Sequence, residues 1–249
     1  MRNLLLKIEY DGTNYQGWQT QRVKGNIHKN TVQATIEKKL MQILQHKIIL
    51  CSSGRTDSGV HARAQYANFR TPSAILPAKL KKSINALLPK DIRVISIKEV
   101  GTDFHARFSA KSKVYRYTIL NRSYHSAFLK NHVCFIGQKL NVNKMQQQAK
   151  MLKGRHDFKS FQASDRKIRG SIRTIKNIDV KKKGSQIIID IEADGFVYNM
   201  ARNIVGTLIE FGRGKLSGTN MKKILKAKNR CQSGPTASAC GLCLIKVNY

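Results

Sequence analysis

The sequence predicts an α+β fold made of two tandem ferredoxin-like halves, residues 1–105 and 106–249, each with the element order β-α-β-β-α-β. Segments of alternating apolar and polar residues and segments with helical apolar spacing follow each other in that order twice. No linker rich in proline, glycine and serine separates the halves, so we expect them to pack together. Two such sheets side by side predict one continuous, mostly antiparallel sheet with helices on one side and a central basic cleft.

In the first half, alternation and short apolar runs predict strands over 3–10, 47–53, 66–70 and 92–100. Thr31 is expected to cap the first helix, while Pro77 suits the first turn of the second, which stops at Pro89. The apolar faces of the two helices are predicted to be Val32, Ile36, Leu40, Ile43 and Leu44, and Leu80, Ile84 and Leu87.

In the second half, strands are predicted over 113–120, 172–180, 186–193 and 241–247. The basic run 181–184 is predicted to turn between the two middle strands. Helices are predicted around Met145, Ala149 and Leu152, over 196–211, and in an additional short segment over 220–228.

The charge balance indicates a polyanionic partner. The chain has 46 Lys and Arg residues against 14 Asp and Glu, a formal net charge of +32 spread along its whole length. This is typical of a protein that binds a structured nucleic acid, although biased codon usage is an alternative source of lysine. No apolar stretch approaches the length of a membrane span, and Lys7 interrupts the leucines of 4–6, so we expect a cytoplasmic protein without a membrane partner.

The five cysteines do not form a recognisable metal site. Cys240 and Cys243 make a single C-x-x-C pair, whereas a structural zinc site needs about four ligands. We therefore expect reduced core thiols and no structural zinc site.

One loop concentrates the candidate chemistry. Residues 53–62 contain Gly54-Arg55-Thr56-Asp57-x-Gly59-Val60-His61-Ala62 between two predicted strands. In one interpretation this is a polar turn in which Asp57 caps backbone amides and pairs with Arg55. In the other, Asp57 is a reactive carboxylate held between two glycines that allow strained turns.

Other motifs extend through most of the chain. They are Tyr10-Asp11-Gly12-Thr13, Gly17-Trp18-Gln19-x-Gln21, Thr31-Val32-Gln33, Asn85-Ala86-Leu87-Leu88-Pro89-x-Asp91-Ile92, Phe104-His105-Ala106-Arg107-Phe108-Ser109-Ala110, Tyr115-Arg116-Tyr117, His156-Asp157-Phe158, Asn199-Met200-x-Arg202-Asn203-Ile204-Val205-Gly206 and Gly234-Pro235-Thr236-Ala237. Together with the loop they resemble the tRNA pseudouridine synthases of the TruA type. The departures are Ala201 in place of a larger aliphatic residue, Ser238 in place of proline, and a slightly longer stretch over 23–30.

The resemblance implies isomerisation of uridine to pseudouridine at positions 38, 39 and 40 of the tRNA anticodon stem-loop, without a cofactor, by a homodimer. It implies that Asp57 is the catalytic carboxylate and that Arg202 is the fixed cation keeping it ionised. It also implies that Tyr115 stacks on the target base and that Arg55 fills the gap left by the displaced nucleotide. His61 and the pair His156-Asp157 are interpreted as structural hydrogen-bonding groups.

Two alternatives remain open. A non-catalytic tRNA-binding or tRNA-folding protein on the same scaffold would carry the same charge, although it would have no need of Asp57, Tyr115 and Arg202 together. A metal-dependent nuclease using Asp57, His61 and Asp157 would need clustered carboxylates, which 14 acidic residues scarcely supply.

Overall fold

The computed structural model describes residues 1–20, 30–163 and 170–249 in full and the backbone of 22–23 and 26–27. Gln21 and residues 24–25 and 28–29 of the longer stretch over 23–30 lie outside the described residues. The chain forms two compact units, Met1–Lys111 with Leu244–Tyr249, and Ser112–Cys243. The division into domains at residues 105 and 106 stays a prediction.

Unit 1 is an antiparallel sheet with two helices. Its strands and helices are β1 (Arg2–Tyr10), β2 (Arg22–Val23), β3 (Asn26–Ile27), α1 (Val32–Leu44), β4 (Cys51–Ser52), β5 (His61–Thr71), α2 (Pro77–Leu87) and β6 (Ile92–Val100). Strand β1 pairs with both β5 and β6, and β4 pairs with the far side of β5, all antiparallel. The order β6-β1-β5-β4 is that of a split β-α-β unit, as the sequence predicts.

The core of unit 1 follows the predicted periodicities. Leu4, Leu6 and Ile8 alternate along β1 and are fully buried. The predicted cap at Thr31 is present, because its Oγ1 accepts a hydrogen bond of 3.3 Å from the Ala34 amide. Pro77 begins α2 as expected.

Unit 2 repeats the architecture with additional short elements. They are β7 (Ser112–Asn121), β8 (Cys134–Ile136), α3 (Val142–Lys150), β9 (Gly154–Asp157), β10 (Ile172–Lys183), β11 (Gln186–Ala193), α4 (Met200–Gly212) and α5 (Met221–Ala227). Strands β7, β11, β10 and β9 pair antiparallel in that order, and β8 pairs parallel to β7. The last strand, β12 (Leu242–Asn248), has most of its residues in unit 1. The α+β class and the mostly antiparallel pairing are confirmed, whereas the central basic cleft stays a prediction.

Several element boundaries differ from the sequence prediction in unit 1. The strand expected over 47–53 is reduced to Cys51–Ser52, because the Leu50 amide donates to Glu37 Oε1 on α1 at 2.8 Å instead of to a neighbouring strand. His61 and Ala62 belong to β5 and not to the loop. Leu87 is 37% exposed, and Leu88 beyond the end of α2 is buried in its place.

The boundaries of unit 2 also differ. Helix α4 begins at Met200, four residues later than predicted, because Asn199 has a left-handed backbone with φ of 59°. Strand β10 continues to Lys183, so the three lysines are strand residues and Gly184, with φ of 56°, makes the turn. Short strands β8 and β9 were absent from the prediction. Within the described part of the chain, no helix combines the length and apolar character that a membrane crossing requires.

Gly206 on α4 provides a test of the packing in unit 2. A Cβ at this position would lie 1.7 Å from the Pro235 carbonyl oxygen. We expect Gly206→Ala to lower the free energy of unfolding by about 2 kcal/mol or more, although alanine favours helix by about 1 kcal/mol. Denaturant unfolding measures the change.

Gly218→Ala is the matched control, because a Cβ at Gly218 meets nothing within 4 Å. It should change the free energy of unfolding by less than about 0.5 kcal/mol. Equal stabilities of the two variants would show that the contact between α4 and Pro235 is not tight.

Candidate active site

The loop that carries Asp57 is fixed to β5 where it begins. The Ser53 amide donates to the Tyr66 carbonyl at 2.7 Å, and the Ser53 hydroxyl donates to Gln65 Oε1 at 2.6 Å. The Gln65 amide nitrogen donates in turn to the Gly54 carbonyl at 2.8 Å. Both Ser53 and Gln65 are fully buried, so these bonds are shielded from water.

Two glycines of the opening motif contact the backbone of the loop. A Cβ at Gly12 would lie 2.0 Å from the Val60 carbonyl oxygen, and a Cβ at Gly17 would lie 2.6 Å from the Thr56 carbonyl oxygen. Gly17 also has φ of +91°, which L side chains rarely adopt. The Trp18 amide donates to the same Thr56 carbonyl at 3.0 Å. Glycine at 12 and 17 therefore allows a backbone contact that any side chain would block.

Residues of the same opening motif also form hydrogen bonds with Thr56 of the loop and with His61 at the start of β5. The hydroxyls of Tyr10 and Thr56 are 2.8 Å apart and buried. The Gly12 amide donates to His61 Nδ1 at 3.1 Å, and the same nitrogen lies 3.1 Å from Asp11 Oδ1. His61 is 6% exposed, and these contacts place it in the scaffold of the loop, in line with its interpretation as a structural group.

Tyr15 holds the far end of the loop. Its carbonyl accepts from the Ser58 hydroxyl at 3.1 Å and from the Gly59 amide at 3.3 Å. Its own hydroxyl donates to Asp91 Oδ1 at 2.7 Å. Burial raises the pKa of the Tyr15 hydroxyl, and the hydrogen bond to Asp91 raises it further, so the group remains a donor at neutral pH.

Asp57 lies on the turn between these fixed points. Its carbonyl accepts from the Val60 amide at 3.1 Å, and Gly59 adopts φ of +75° within the turn. The Asp57 side chain is half-buried, and Arg55 is exposed. Backbone hydrogen bonds close the turn around Asp57. A polar turn and a reactive Asp57 carboxylate are therefore compatible interpretations of this loop.

Tyr115 lies in unit 2 on β7, directly opposite Ile191 of β11. The side chain is 7% exposed. Its ring meets Phe196 edge-on, with centroids 4.9 Å apart and planes at 81°. Phe196 therefore fixes the orientation of the Tyr115 ring, a role that the sequence motifs did not indicate.

Arg202 lies in the first turn of α4 and is half-buried. Its Nε donates to the Ala237 carbonyl at 2.8 Å, and Nη1 donates to Asn199 Oδ1 at 3.3 Å. The Ala237 amide donates back to the Arg202 carbonyl at 3.2 Å. These bonds constrain the guanidinium plane.

A buried amide joins the segments around Arg202. Asn203 is fully buried and donates through Nδ2 to the Phe161 carbonyl at 2.8 Å. Its Oδ1 accepts from the Thr236 hydroxyl at 2.6 Å and from Arg230 Nη2 at 3.1 Å. Arg230 is a supporting residue outside every recognised motif, and the only sequence signal for it is its position four residues before Gly234.

His156 and Asp157 have structural contacts. His156 Nε2 is 3.1 Å from the Lys153 carbonyl, and Asp157 accepts from the Ser171 hydroxyl and from the Lys159 amide. Burial acts to raise the pKa of Asp157, but the hydrogen bonds outweigh it and leave this pKa below its ordinary value. Lys228 Nζ lies 3.4 Å from Asp157 Oδ2, so both oxygens of this carboxylate, which the nuclease alternative would use, have partners in the scaffold.

The cysteines and the two family departures have ordinary surroundings. All five cysteines are free thiols. Four of them are partly buried and Cys231 is exposed, so the expectation of fully buried core thiols is wrong. Ala201 is buried at 5% exposure on α4. Ser238 accepts a hydrogen bond of 2.8 Å from the Tyr117 hydroxyl through its backbone carbonyl, which any residue offers.

Comparison with known proteins identifies the family. A family model described as tRNA pseudouridine synthase matches residues 7–109 and 148–249, which is more than half of the chain. The chain belongs to the tRNA pseudouridine synthase family. The resemblance predicted from the motifs is therefore confirmed, as is the enzyme class, an isomerase.

Relatives within this family match from end to end. The chain is 43% identical over 249 residues to tRNA pseudouridine synthase A 2 of Clostridium perfringens and 44% identical over 249 residues to tRNA pseudouridine synthase A of Clostridium acetobutylicum, with all of each chain covered. A solved structure of a Cbf5-Nop10-Gar1 complex contains a chain that is 13% identical, with a TM-score of 0.39 over 97% of this chain and 48% of that one. A likeness of that size supports no conclusion about the present fold.

The contact between Gly12 and the loop can be tested by hydrogen exchange. We expect Gly12→Ala to displace Val60 and to speed amide exchange in residues 53–62 by at least about tenfold, because the Gly59 and Val60 amides lose well-placed acceptors. Mass spectrometry of the corresponding peptide measures the rate. Gly101→Ala, with nothing within 4 Å of the new Cβ, should leave the rate unchanged. Full protection in Gly12→Ala would contradict the close backbone contact.

Proposed function

We propose that this synthase converts uridine to pseudouridine at positions 38 to 40 of the tRNA anticodon stem-loop, with Asp57 as the catalytic carboxylate. The observation that carries the proposal is a half-buried carboxylate on a loop whose backbone is fixed by Gly12, Gly17 and Tyr15, in a chain of this family. We also propose that the enzyme is a cytoplasmic homodimer.

The reaction exchanges one glycosidic bond for another. The bond between N1 of uracil and C1′ of ribose breaks, the base turns, and C5 becomes joined to C1′. C5 loses its proton and N1 gains one, so that the composition of the RNA is unchanged. An ionised carboxylate suits this chemistry as a nucleophile or as a stabiliser of charge that develops on the sugar.

We propose that Tyr115 and Arg55 hold the displaced nucleotide and that Arg202 keeps Asp57 ionised. A uridine in a stem must leave the base stack to reach a carboxylate, which costs a few kcal/mol. We propose that Tyr115 stacks on the target base and that Arg55, which is exposed, occupies the vacated position in the RNA. Arg202 supplies a fixed positive charge, since its hydrogen bonds to Ala237 and Asn199 restrict its orientation.

The charge of the chain supports tRNA as the substrate. A net charge of +32 favours contacts with many phosphates, which provide affinity without reading sequence. Structured RNA is recognised largely by its shape and backbone.

Substitution of Asp57 tests the assignment. We expect Asp57→Asn to lower the rate of pseudouridine formation by at least about 1000-fold, because an amide cannot act as the anionic group. Affinity for tRNA should remain equal or increase slightly, since one negative charge near the RNA is removed. Pseudouridine mapping and a binding titration on the same tRNA give the two values.

Asp103→Asn is the matched control, because Asp103 is an exposed carboxylate of the same unit, and it should retain wild-type turnover. Turnover by Asp57→Asn would reject the catalytic role. Tight tRNA binding without any pseudouridine formation by the wild-type chain would favour the non-catalytic binder. Shortened tRNA whose appearance is blocked by excess chelator would favour a nuclease.

A further inference from the structure

An exposed aromatic side chain lies in the loop that follows β6. Phe108 is 77% exposed, although phenylalanine is usually buried. The imidazole of His105 lies against it, with ring centroids 4.4 Å apart and planes at 37°. The guanidinium carbon of Arg107 lies 5.6 Å from the centroid of the Phe108 ring. The exposed ring is therefore bordered by a cation and an imidazole.

Buried amide side chains hold this loop in place. Asn3 and Asn68 are 2% and 6% exposed. Asn3 Nδ2 donates to the Phe104 carbonyl at 2.9 Å, and Asn68 Oδ1 accepts from the Ala106 amide at 2.9 Å. Such buried bonds make the position of the loop well defined.

The chain terminus and the loop itself add further restraints. The Tyr249 hydroxyl donates to the Ala106 carbonyl at 3.0 Å. The Ser109 amide donates to the His105 carbonyl at 2.9 Å, and the Arg107 amide donates to His105 Nδ1 at 3.1 Å. The last bond fixes the imidazole against Phe108. The exposed ring is thus part of a rigid turn, and it is not the end of a free loop.

We propose that Phe108, flanked by His105 and Arg107, is a stacking site for one unpaired nucleobase of the tRNA substrate. The proposal rests on the proposed function, since it needs an RNA partner. Aromatic rings and planar guanidinium groups bind unstacked bases through their faces, and the cation also attracts the adjacent phosphate. Because stacking tolerates every base, the site supplies affinity and not sequence choice.

The groups around Phe108 favour a nucleobase over a protein surface as the partner of the ring. The groups that lie against the ring are polar: the His105 imidazole and the exposed Arg107 guanidinium. The apolar surface that they border is about one ring wide. A protein interface is built on a wider apolar core with depleted charge. A single base covers one ring, and it leaves the neighbouring polar groups in water.

Two substitutions at one position separate stacking from structure. We expect Phe108→Ala to weaken tRNA binding by about 5- to 150-fold, the range associated with loss of one stacked base. Phe108→Trp should bind tRNA as tightly as the wild type, and its exposed indole emission should be quenched when tRNA is added. The wild-type chain provides the fluorescence background, because its single tryptophan, Trp18, is 1% exposed.

Phe128→Ala is the matched control, since Phe128 is 95% exposed and lies in unit 2. Unchanged tRNA affinity in this control supports a specific role for Phe108. Equal losses in the two alanine variants would overturn the proposal, as would wild-type affinity of Phe108→Ala or unquenched emission of Phe108→Trp.

Sedimentation of Phe108→Ala tests whether the ring instead contacts a second copy of the chain. A change in oligomeric state would assign the ring to a contact between copies of the chain and would overturn the base-stacking site. Binding and quenching are measured without turnover, so failure of the isomerase assignment would appear separately, as absence of pseudouridine in the wild-type reaction.

Discussion

The Asp57 loop depends on a direct contact between two stretches of backbone. Gly12 and Gly17 bring the opening segment so near to residues 56–60 that a Cβ at either glycine would overlap a carbonyl oxygen. The same segment is tied to the start of α1, where the amides of Val32 and Gln33 donate to the carbonyls of Gly17 and Trp18 at 3.2 and 3.0 Å. A helix terminus thus fixes the segment, and the segment fixes the loop. Such pre-organisation is what an electrostatic or nucleophilic role of a carboxylate requires.

In unit 2, a similar close contact between a glycine and a distant stretch of backbone lies beside Arg202. Gly206 meets the Pro235 carbonyl, and a Cβ at Gly234 would lie 2.8 Å from the Thr207 Cα. The segment 234–237 therefore lies against α4, and the Ala237 carbonyl is placed to accept from Arg202. In each unit, two motifs that are distant in sequence form one contact. The recurrence explains why glycines accompany the charged residues in both motif pairs.

Much of the fold could be predicted from periodicity, because alternating burial in β1 and the cap at Thr31 are local properties. The failures have tertiary causes. Glu37 removes the Leu50 amide from strand pairing, and the left-handed Asn199 delays α4, although neither effect is visible in local propensity. The candidate site residues follow from motifs shared with the family, and local physical chemistry alone does not identify them. The buried Gln65 that supports the loop reads in sequence as an ordinary polar strand position, and its role depends on the partners that only the fold supplies.

We expect the Gly17 contact to position the Asp57 carboxylate and to leave RNA binding unchanged. The most direct measurement is the single-turnover rate of pseudouridine formation by Gly17→Ala at saturating tRNA, at a temperature where the variant is folded. A displacement of about 1 Å should lower this rate by about 100-fold while tRNA affinity stays at the wild-type value. A folded variant with the wild-type rate would contradict the account, because the loop would then work without its backbone support.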